Sequence, residues 1–569
     1  MTTRITIDPV TRIEGHLRID VEVENGRITK SWASGQMWRG IEKIVLDRDP
    51  RDAWTILQRV CGVCTVVHAM ASVRAVEDAL KLEVPLNAQY IRNMMMTAHA
   101  VQDHIVHFYQ LSALDWVDVV SATKANPAKA ASFAEGLSDW DANSRAVMAA
   151  TQEKLKGFIG SGQLGVFANG YWGHPAMKLS PEVNLMAVAH YLQALEVQRS
   201  ASKIVATLGS KTPHIQNLAV GGVSNPIATD SEGVLTIERL MQIKEYIDKI
   251  GSFLHNCYFV DVAAIAAHYP EWLAMGAGVN DFLSSPDLPL DTKGAKFMTP
   301  GGYIPGGNLS AFRAITKFGD PYLASGVAEG VKHAWYTYKN GESELQPWKG
   351  ETTPAYTEFQ DNGKYSWVKS PTFYGKPAQV GPVAAVLAGV ATGDKTTVSY
   401  LNRLNDKMQA LSARKIEPSA LNSTVGRHAA RVVRACVAYE CLKANWQLLM
   451  DNIGTGDMTT FNKPTFPKGE IMGVGQEEAP RGLLSHWVVI KDGRIANYQA
   501  VVPSTWLAAP KSDRDQMASY DVALLGTPVA DPARPLEALR TVHSFDPCLA
   551  CAVHLTDVER NTDVQVNAL

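Results

Sequence analysis

The chain has 569 residues and lacks an apolar run of about 18 residues, the length that a membrane-spanning helix needs. Its longest apolar stretch covers residues 380–391. It also lacks a polybasic segment, and a formal net charge of -3 with a pI of 6.6 provides no basic surface for nucleic acid or anionic lipid. We therefore expect no spanning helix and no nucleic-acid partner, and any membrane association would depend on a partner protein.

Other signatures are missing as well. There is no glycine-rich phosphate loop, which removes support for nucleotide chemistry, and no repeat of solenoid period. The N-terminal segment contains no apolar stretch of secretory type, and taken alone this indicates a cytoplasmic protein. The remaining composition, with 46% hydrophobic and 20% charged residues, is ordinary for a globular protein with a large core.

Cysteine is scarce and odd in number, with seven in the chain, which does not fit a disulfide framework. Cys257, Cys436 and Cys441 lie in helical, apolar contexts that are typical of core residues. The other four form two pairs at opposite ends of the chain, Cys61-x-x-Cys64 and Cys548-x-x-Cys551.

Four converging thiolates make a soft ligand set, suited to zinc, to an iron-sulfur cluster, or to nickel with iron, and poorly suited to magnesium or calcium. In a local zinc module the second pair follows the first by about 15 to 20 residues. Here the pairs are separated by most of the chain, so the whole fold must assemble the site. The residues alone leave the three metal chemistries open.

The pattern of residues predicts an α+β fold that is predominantly α-helical, with a central bundle of long helices and small peripheral β-hairpins near the N-terminus and before the C-terminal segment. One hairpin is expected over residues 16–33 around Asn25-Gly26, and a second over 486–502 around Asp492-Gly493. A serine cap and a first-turn proline at Ser180-Pro181 begin one helix. The predicted helices cover residues 53–60, 65–80, 88–114, 180–209, 235–267, 425–450 and 535–540.

Both cysteine motifs, together with residues 8–16 (DPVTRIEGH), 37–42 (MWRGIE) and 212–217 (TPHIQN), resemble the large subunit of nickel-iron hydrogenases over nearly the full length of the chain. The most similar branch is the membrane-associated respiratory hydrogenases whose catalytic part faces the periplasm. The resemblance implies one large catalytic subunit over residues 1–554. Within it we expect an N-terminal hairpin region (1–35), a helical core (50–270), an irregular excursion (284–376), and a helical and hairpin region that completes the metal site (425–554).

The resemblance also implies the metal ligands. Cys61 and Cys548 would bind nickel terminally, and Cys64 and Cys551 would bridge nickel to an iron that carries cyanide and carbon monoxide. A second site for magnesium or iron would use Glu42, the backbone carbonyl of Ala500 and His554. The sequence departs from the family at Leu507, where asparagine is usual, and this puts local polar contacts in doubt.

The implied reaction is the reversible heterolytic cleavage of dihydrogen, with a nearby base taking the proton. Glu14 matches the family glutamate in that role, although from the sequence alone it would pass for a surface residue between strands. Arg481 matches the arginine over the open coordination position, with a structural bridge as its alternative role. The resemblance places a further five residues around the centre: His68 on a bridging thiolate, Asp103 and Asp546 on the arginine, and Pro480 and Ser504 near the cyanide ligands.

His104-x-x-His107 is a possible two-histidine metal motif, but such a pair is more often a hydrogen-bonded structural feature. His214 matches a residue on the small-subunit face. The chain has too few cysteines for iron-sulfur clusters of its own, so these would lie in a small subunit that passes electrons through membrane partners toward the quinone pool. The other functions left open are a non-catalytic relative, either a dihydrogen sensor or a quinone-oxidoreductase subunit that lacks the four cysteines, and a structural four-cysteine zinc protein.

Maturation and location follow from the same resemblance. Nickel-insertion proteins would load the centre, and an endopeptidase would then cut between His554 and Leu555 to remove residues 555–569. The precursor would be cytoplasmic, and the folded pair would be exported to the periplasmic side of the cytoplasmic membrane by a signal on the small subunit.

Overall fold

The computed structural model describes residues 2–162, 167, 170–227, 235–338, 341 and 344–552. Its α-helices are α1 (Ile41–Ile44), α2 (Ala53–Leu57), α3 (Thr65–Leu80), α4 (Leu86–Val106), α5 (Val119–Ala122), α6 (Pro127–Glu135), α7 (Arg145–Gly160), α8 (Pro181–Gly209), α9 (Ile237–Phe253), α10 (Phe259–His268), α11 (Pro321–Gly326), α12 (Pro382–Thr392), α13 (Lys395–Ala410), α14 (Thr424–Gly454), α15 (Pro503–Leu507), α16 (Ser519–Leu524), α17 (Leu536–Ser544) and α18 (Leu549–Ala552). The π-helical turns are His107–Ser112 and Leu254–Tyr258. Short 3-10 turns cover Gln58–Val60, Ala113–Asp115, Asp141–Asn143, Pro270–Leu273, Pro305–Gly307, Leu309–Ala311 and Pro418–Leu421.

The strands are short and form several small sheets. They are β1 (Thr3–Ile7), β2 (Leu17–Glu24), β3 (Arg27–Gly35), β4 (Leu218–Ala219), β5 (Gly222–Val223), β6 (Phe282–Ser284), β7 (Asp287–Pro289), β8 (Phe297–Thr299), β9 (Gly301–Ile304), β10 (Arg313–Ile315), β11 (Val327–Gly330), β12 (Tyr336–Tyr338), β13 (Glu344–Leu345), β14 (Thr352–Pro354), β15 (Ser370–Phe373), β16 (Glu470–Ala479), β17 (Gly482–Lys491) and β18 (Arg494–Val501). The α+β class with a helical majority is confirmed.

The long helices form the centre of the molecule. Helix α4 packs between α14 and α8, and α8 packs in turn against α9. The Ser180 hydroxyl accepts a hydrogen bond from the amide of Val183, as the predicted cap requires, and α8 ends at Gly209 as predicted. Helix α14 begins in the same way, because the Ser423 hydroxyl accepts from the amide of Gly426.

Two predicted helices are interrupted. The helix predicted over residues 88–114 is α4 followed by a π-helical and a 3-10 turn, and the one predicted over 235–267 is α9 and α10 joined by a π-helical turn. A hydrophobic period of about 3.6 residues shows that a helix is present, but it does not show where one extra residue is inserted into a turn.

One helical stretch, Ile237–His268, is long and apolar enough by length and composition to cross a membrane. Within it, 78% of the most apolar window is buried inside the protein. A core helix of a large protein has the same composition, and burial among neighbouring helices already accounts for its apolar faces.

The N-terminal sheet has the order β1-β2-β3, and its β2-β3 hairpin matches the first predicted hairpin. The second predicted hairpin is β17-β18, but it belongs to a sheet β16-β17-β18 whose first strand the sequence analysis missed. Residues 284–376, expected to be irregular, contain the short strands β7 to β15. Strands of two to four residues are too short for alternation to become visible in the sequence.

Strand β16 packs tightly against α3 because it presents glycines to it. A β-carbon on Gly475 would lie 2.0 Å from the carbonyl oxygen of Ala71, and one on Gly473 would lie 2.2 Å from that of Ala75. This contact fixes α3, which begins directly after Cys64, against the strand that leads to Arg481.

We expect Gly475→Ala to destabilise the protein by about 1 to 3 kcal/mol, because the new methyl group must push the strand away from α3. The apparent melting temperature measures the loss. Gly157→Ala is the matched control, since nothing lies within 4 Å of a β-carbon there and alanine favours the helix. Equal melting temperatures for the two variants would contradict the packing argument.

The buried carboxyl group of Asp521 predicts a pH dependence. Its Oδ1 accepts from the amide of Ala33, which joins α16 to β3, and burial raises its pKa from 3.8 to about 8. The protonated form is therefore favoured in the folded state, so its stabilising contribution is present below about pH 4 and is lost as pH rises through about 8. Asp521→Asn should match the wild-type melting temperature near pH 4 and exceed it near pH 9. A variant that is less stable at both pH values would refute the assignment.

Candidate metal centre

Four thiols meet in the interior. The Sγ atoms of Cys61, Cys64, Cys548 and Cys551 all lie within 4.8 Å of one another, and all four residues are buried. The separations are 3.4 Å between Cys61 and Cys548, 2.9 Å between Cys64 and Cys551, and 2.8 Å between Cys548 and Cys551. In the part of the chain that the structure describes, this is the one group of three or more metal-binding side chains that converges in this way.

The first pair lies at a turn between helices. Cys61 follows the 3-10 turn Gln58–Val60, and Cys64 is the residue before α3. The amides of Val63 and Cys64 donate to the Cys61 sulfur at 3.2 and 3.1 Å. A sulfur that accepts two amide hydrogen bonds at a helix start is stabilised as a thiolate.

The protonation of the four thiols fits a metal site. Burial raises the pKa of Cys64 to about 12 and those of Cys548 and Cys551 well above their usual range. Cys61 has the opposite shift, because hydrogen bonds from neighbouring thiols and the charge of Arg481 outweigh burial. Four crowded thiols do not ionise together without a cation among them, and a soft metal ion releases those protons on binding. The donor set therefore fits nickel and iron.

The two ends of the chain join at this site. The amide of Glu14 donates to the carbonyl of Pro547 at 3.2 Å, and the amide of Leu549 donates to the carbonyl of Glu14 at 2.7 Å. Gly15 adopts φ +81°, and a β-carbon there would lie 2.2 Å from the amide nitrogen of Ala550. The glycine lets the N-terminal backbone lie directly against the C-terminal cysteine segment.

The Glu14 carboxyl group lies beside one sulfur. Its Oε2 is 3.3 Å from the Cys548 sulfur and accepts from the amide of Ala550 at 3.1 Å. Burial, followed by the charge of Cys61, raises the pKa of Glu14 to about 7. The Glu14 side chain is thus half-buried against the C-terminal cysteine segment, not at the exposed position that its local sequence suggests.

Arg481 is held by two carboxylates. Its guanidinium donates to both oxygens of Asp103, at 2.7 and 3.2 Å, to Asp546 Oδ1 at 2.8 Å, and to the Asp546 carbonyl at 3.0 Å. Burial alone would lower its pKa, but the two carboxylates and the thiolates hold the pKa of Arg481 well above its usual value. Its plane is fixed by a fork-to-carboxylate contact that lysine does not reproduce.

A second arginine, which the sequence analysis missed, supports this pair. Arg431 on α14 donates to Asp546 Oδ2 and to the carbonyl of Pro480, both at 3.3 Å. Its Nη1 also lies 3.4 Å from His104 Nδ1, while His107 Nε2 lies 2.6 Å from the carbonyl of His543. The two histidines make separate hydrogen bonds, as the structural alternative for His104-x-x-His107 requires.

A small cavity borders the thiols. The Ser504 hydroxyl accepts from the amide of Cys548 at 3.0 Å, and Pro480 and Ser504 lie on the cavity wall. Its lining consists of Cys64, Val67, His68, Ala479, Pro480, Arg481, Leu484, Val502, Pro503, Ser504, Cys548 and Cys551. The wall is thus apolar apart from the sulfurs, the serine, the histidine and the arginine.

His68 contacts one of the four sulfurs. Its Nε2 lies 3.3 Å from the Cys551 sulfur, and its Nδ1 lies 3.1 Å from His486 Nε2. His486 Nδ1 in turn lies 2.7 Å from the Tyr498 hydroxyl. Of these three residues, only His68 was expected, because His486 and Tyr498 belong to no motif.

Two of the residues expected at the second metal site, Glu42 and Ala500, lie in contact with each other. The amide of Ala500 donates to Glu42 Oε1 at 2.7 Å, while Glu42 Oε2 is buried without a partner among the described residues. Burial raises the pKa of Glu42 to about 7. Nearby, Lys369 Nζ donates to Glu329 at 2.6 Å and to Gln499 at 2.7 Å, three residues that the sequence did not point to. His554 and Leu555 lie outside the described residues.

The remaining expectations concern the surface and the core. His214 is half-buried, and burial followed by the charges of Arg59 and Lys211 lowers its pKa. On the outer side of the first cysteine pair, Val63 is 39% exposed, so this loop reaches the surface. Leu507 is buried and packs within an apolar cluster, where asparagine would need polar partners.

Comparisons with known proteins agree with this geometry. Residues 39–554 match the family described as nickel-dependent hydrogenase, and residues 4–31 match a family described as HoxL-like. The chain is 58% identical to the hydrogenase-2 large chain of Escherichia coli (strain K12), with 100% of both chains covered. It is 43% identical to the uptake hydrogenase large subunit of Bradyrhizobium diazoefficiens, with 97% of this chain and 95% of that protein covered.

Solved structures give the same result. The chain matches the Ni-Fe-Se hydrogenase of D. vulgaris Hildenborough with a TM-score of 0.76 and 32% identity, covering 97% of this chain and 100% of that one. The family match spans most of the chain, and the identities hold over its full length. This chain therefore belongs to the family of nickel-dependent hydrogenase large chains and is a hydrogenase.

Proposed function

We propose that this chain is the subunit in which dihydrogen is cleaved heterolytically and reversibly, at a nickel-iron centre held by Cys61, Cys64, Cys548 and Cys551. One observation carries the proposal: four buried thiols within 4.8 Å of one another, with a carboxyl group 3.3 Å from one of them. Such a centre would supply the polarisation of dihydrogen and accept its electron pair. One proton goes to a base beside it and the second is released when the two electrons leave, so that each H2 yields two protons and two electrons.

We assign Cys61 and Cys548 as terminal nickel ligands and Cys64 and Cys551 as bridges to iron. The resemblance supports this assignment. The small cavity lined by Cys64, Cys551, Pro480 and Ser504 supports it as well, because small diatomic ligands on an iron held there would find contacts on its wall.

Glu14 is the proposed proton acceptor. It is within hydrogen-bond reach of the Cys548 sulfur, and with a pKa near 7 it both gains and loses a proton readily at working pH. Arg481 remains protonated beside the thiols, and its salt bridges to Asp103 and Asp546 fix where its positive charge lies.

A second cation, magnesium or iron, is proposed at Glu42, the Ala500 carbonyl and His554. The support is the buried Glu42 Oε2, which lacks a partner among the described residues, and the buried Glu329 beside Lys369. An oxygen-rich set of this kind suits a hard divalent cation.

Electrons would leave through an iron-sulfur small subunit, docked at the face that carries His214 and the exposed Val63, toward the quinone pool. The Bradyrhizobium relative is named an uptake hydrogenase, which fits consumption of dihydrogen. We further propose nickel insertion, cleavage between His554 and Leu555 by a maturation endopeptidase, and export of the pair to the periplasmic side of the membrane.

The proposal is tested by purifying the chain with its partner and measuring nickel, iron, and the infrared bands of cyanide and carbon monoxide. One nickel per large chain together with those bands is the expected result. Zinc at the four cysteines, without the infrared bands, would overturn it.

Glu14→Gln should keep both metals and the infrared bands but lose hydrogen-deuterium exchange by about a hundredfold or more, because the amide does not accept the proton. Glu537→Gln is the matched control, since Glu537 lies outside the cysteine site and also accepts one backbone amide, from Ala530 at 3.1 Å. Undiminished exchange in the Glu14 variant would remove this residue from the role.

Arg481→Lys should retain nickel but lower turnover per nickel by about tenfold or more, because lysine keeps the charge and loses the fixed fork between Asp103 and Asp546. Arg92→Lys is the control: Arg92 is equally buried and makes a two-pronged contact with Glu77, yet it is not part of the cysteine site. If both variants lose turnover equally, the effect is structural and the role of Arg481 is not supported.

A further inference from the structure

The proposed proton step depends on the distance between two residues that are far apart in the sequence. Glu14 and Cys548 are separated by 534 positions, and the carboxyl oxygen and sulfur lie 3.3 Å apart. Displacing a catalytic group by about 1 Å lowers a rate by about a hundredfold. Among the described residues, the backbone–backbone hydrogen bonds between the two segments both involve Glu14, whose amide donates to Pro547 and whose carbonyl accepts from Leu549.

One buried carboxylate, that of Asp115, contacts residues on both sides of the junction between residues 11–15 and residues 546–550, which is called the seam below. Asp115 lies in the 3-10 turn that follows α4 and its π-helical turn, and it is fully buried. One of its oxygens accepts from the guanidinium of Arg12, two residues before Glu14. The other lies 2.7 Å from Nδ1 of His543, five residues before Cys548.

His543 and the N-terminal segment are also in direct contact. His543 Nε2 lies 2.8 Å from the carbonyl oxygen of Thr11, so the histidine contacts both the carboxylate and the N-terminal segment. Arg12 also donates to the carbonyl of Leu111, and Arg540 donates to the Asp115 carbonyl at 2.8 Å. Three separate stretches of chain therefore meet at Asp115.

Charge and conformation both show that this contact is strong. Although burial alone would raise it, the charges of Arg12 and His543 hold the pKa of Asp115 at about 2. Arg12 has φ 55°, a left-handed conformation that a non-glycine residue adopts at a cost and keeps only when its surroundings fix it. The Asp115 carboxylate and the Leu111 carbonyl together fix the end of the Arg12 side chain.

We propose that Asp115 is a positioning residue for the proton step: it holds the Arg12 and His543 segments together so that Glu14 meets Cys548. This inference rests on the proposed role of Glu14. Asp115 itself touches neither the cysteines nor Glu14, so it acts only through the geometry of the two segments.

The test uses Asp115→Asn in the complete enzyme with its partner subunit. Asparagine keeps the shape, but it accepts through one atom only and carries no charge. Nickel content and infrared bands should match the wild type, while hydrogen-deuterium exchange per nickel falls by about tenfold or more. Unchanged exchange per nickel would overturn the proposal.

Asp261→Asn is the matched control. Asp261 is another buried aspartate between a histidine and a second donor, with His190 Nδ1 at 2.9 Å and the Tyr109 hydroxyl at 2.6 Å, but it has no contact with either seam segment. Its exchange per nickel should stay near the wild-type value. An equal fall in both variants would mean a general loss of core packing and would also overturn the proposal.

A double variant separates positioning from general damage. If Asp115 acts through Glu14, Asp115→Asn should add little to the loss in Glu14→Gln, whereas independent effects multiply. Multiplying losses would overturn the proposal. Full exchange in Glu14→Gln would refute the proposed base itself, while full exchange in Asp115→Asn beside lost exchange in Glu14→Gln refutes only the positioning role.

If Asp115→Asn fails to load nickel, Arg12→Lys decides. Lysine keeps the charge but does not reach Asp115 and the Leu111 carbonyl together, as the arginine fork does. A fall in hydrogen-deuterium exchange per nickel supports the positioning role of Asp115, and an unchanged value overturns it.

Discussion

The contact between the two ends of the chain is the constraint on which the rest of the structure depends. Residues 11–15 lie against residues 546–550, with backbone hydrogen bonds across the seam and a glycine where a side chain would not fit. Cys548 lies in the C-terminal segment, and the Arg39 guanidinium, which donates to the carbonyls of both Val60 and Ala550, connects that segment with the turn that carries Cys61 and Cys64. The helical core serves as the frame that holds this one junction.

Charge is the second organising element, and it is arranged in layers around the thiols. Arg481 lies next to the cavity, Asp103 and Asp546 lie behind it, and Arg431 lies behind Asp546. Each of these four buried charges has a neighbour of opposite charge, which offsets the large cost of removing it from water. The metal site is therefore embedded in a fixed field whose geometry comes from α4, α14 and the turn before β17.

Much of the fold and of the metal site could be predicted from the sequence, because the signals lie in short stretches of the chain. Ser180 and Pro181 mark the start of α8, Asn25-Gly26 marks the first hairpin, and paired cysteines mark a soft metal site whatever the fold. The resemblance then named residues such as Asp103, which no spacing rule would connect with Arg481.

The residues and the strand that the sequence analysis did not identify were overlooked for physical reasons. His486, Tyr498, Arg431 and Lys369 act through contacts made in three dimensions, and each is a common residue type that belongs to no sequence motif. Strand β16 escaped notice because Gly473 and Gly475 weaken its strand pattern, and those glycines are there for close packing on α3.

The separation of the two cysteine pairs has a consequence for biosynthesis. Cys548 is made 484 residues after Cys64, so the second half of the sulfur donors does not exist until the helical core between the two pairs has been synthesised. Until α18 packs against the rest of the fold, the thiols of Cys61 and Cys64 must stay reduced and accessible. The order of translation thus places assembly of the four-sulfur site after synthesis of the C-terminal pair.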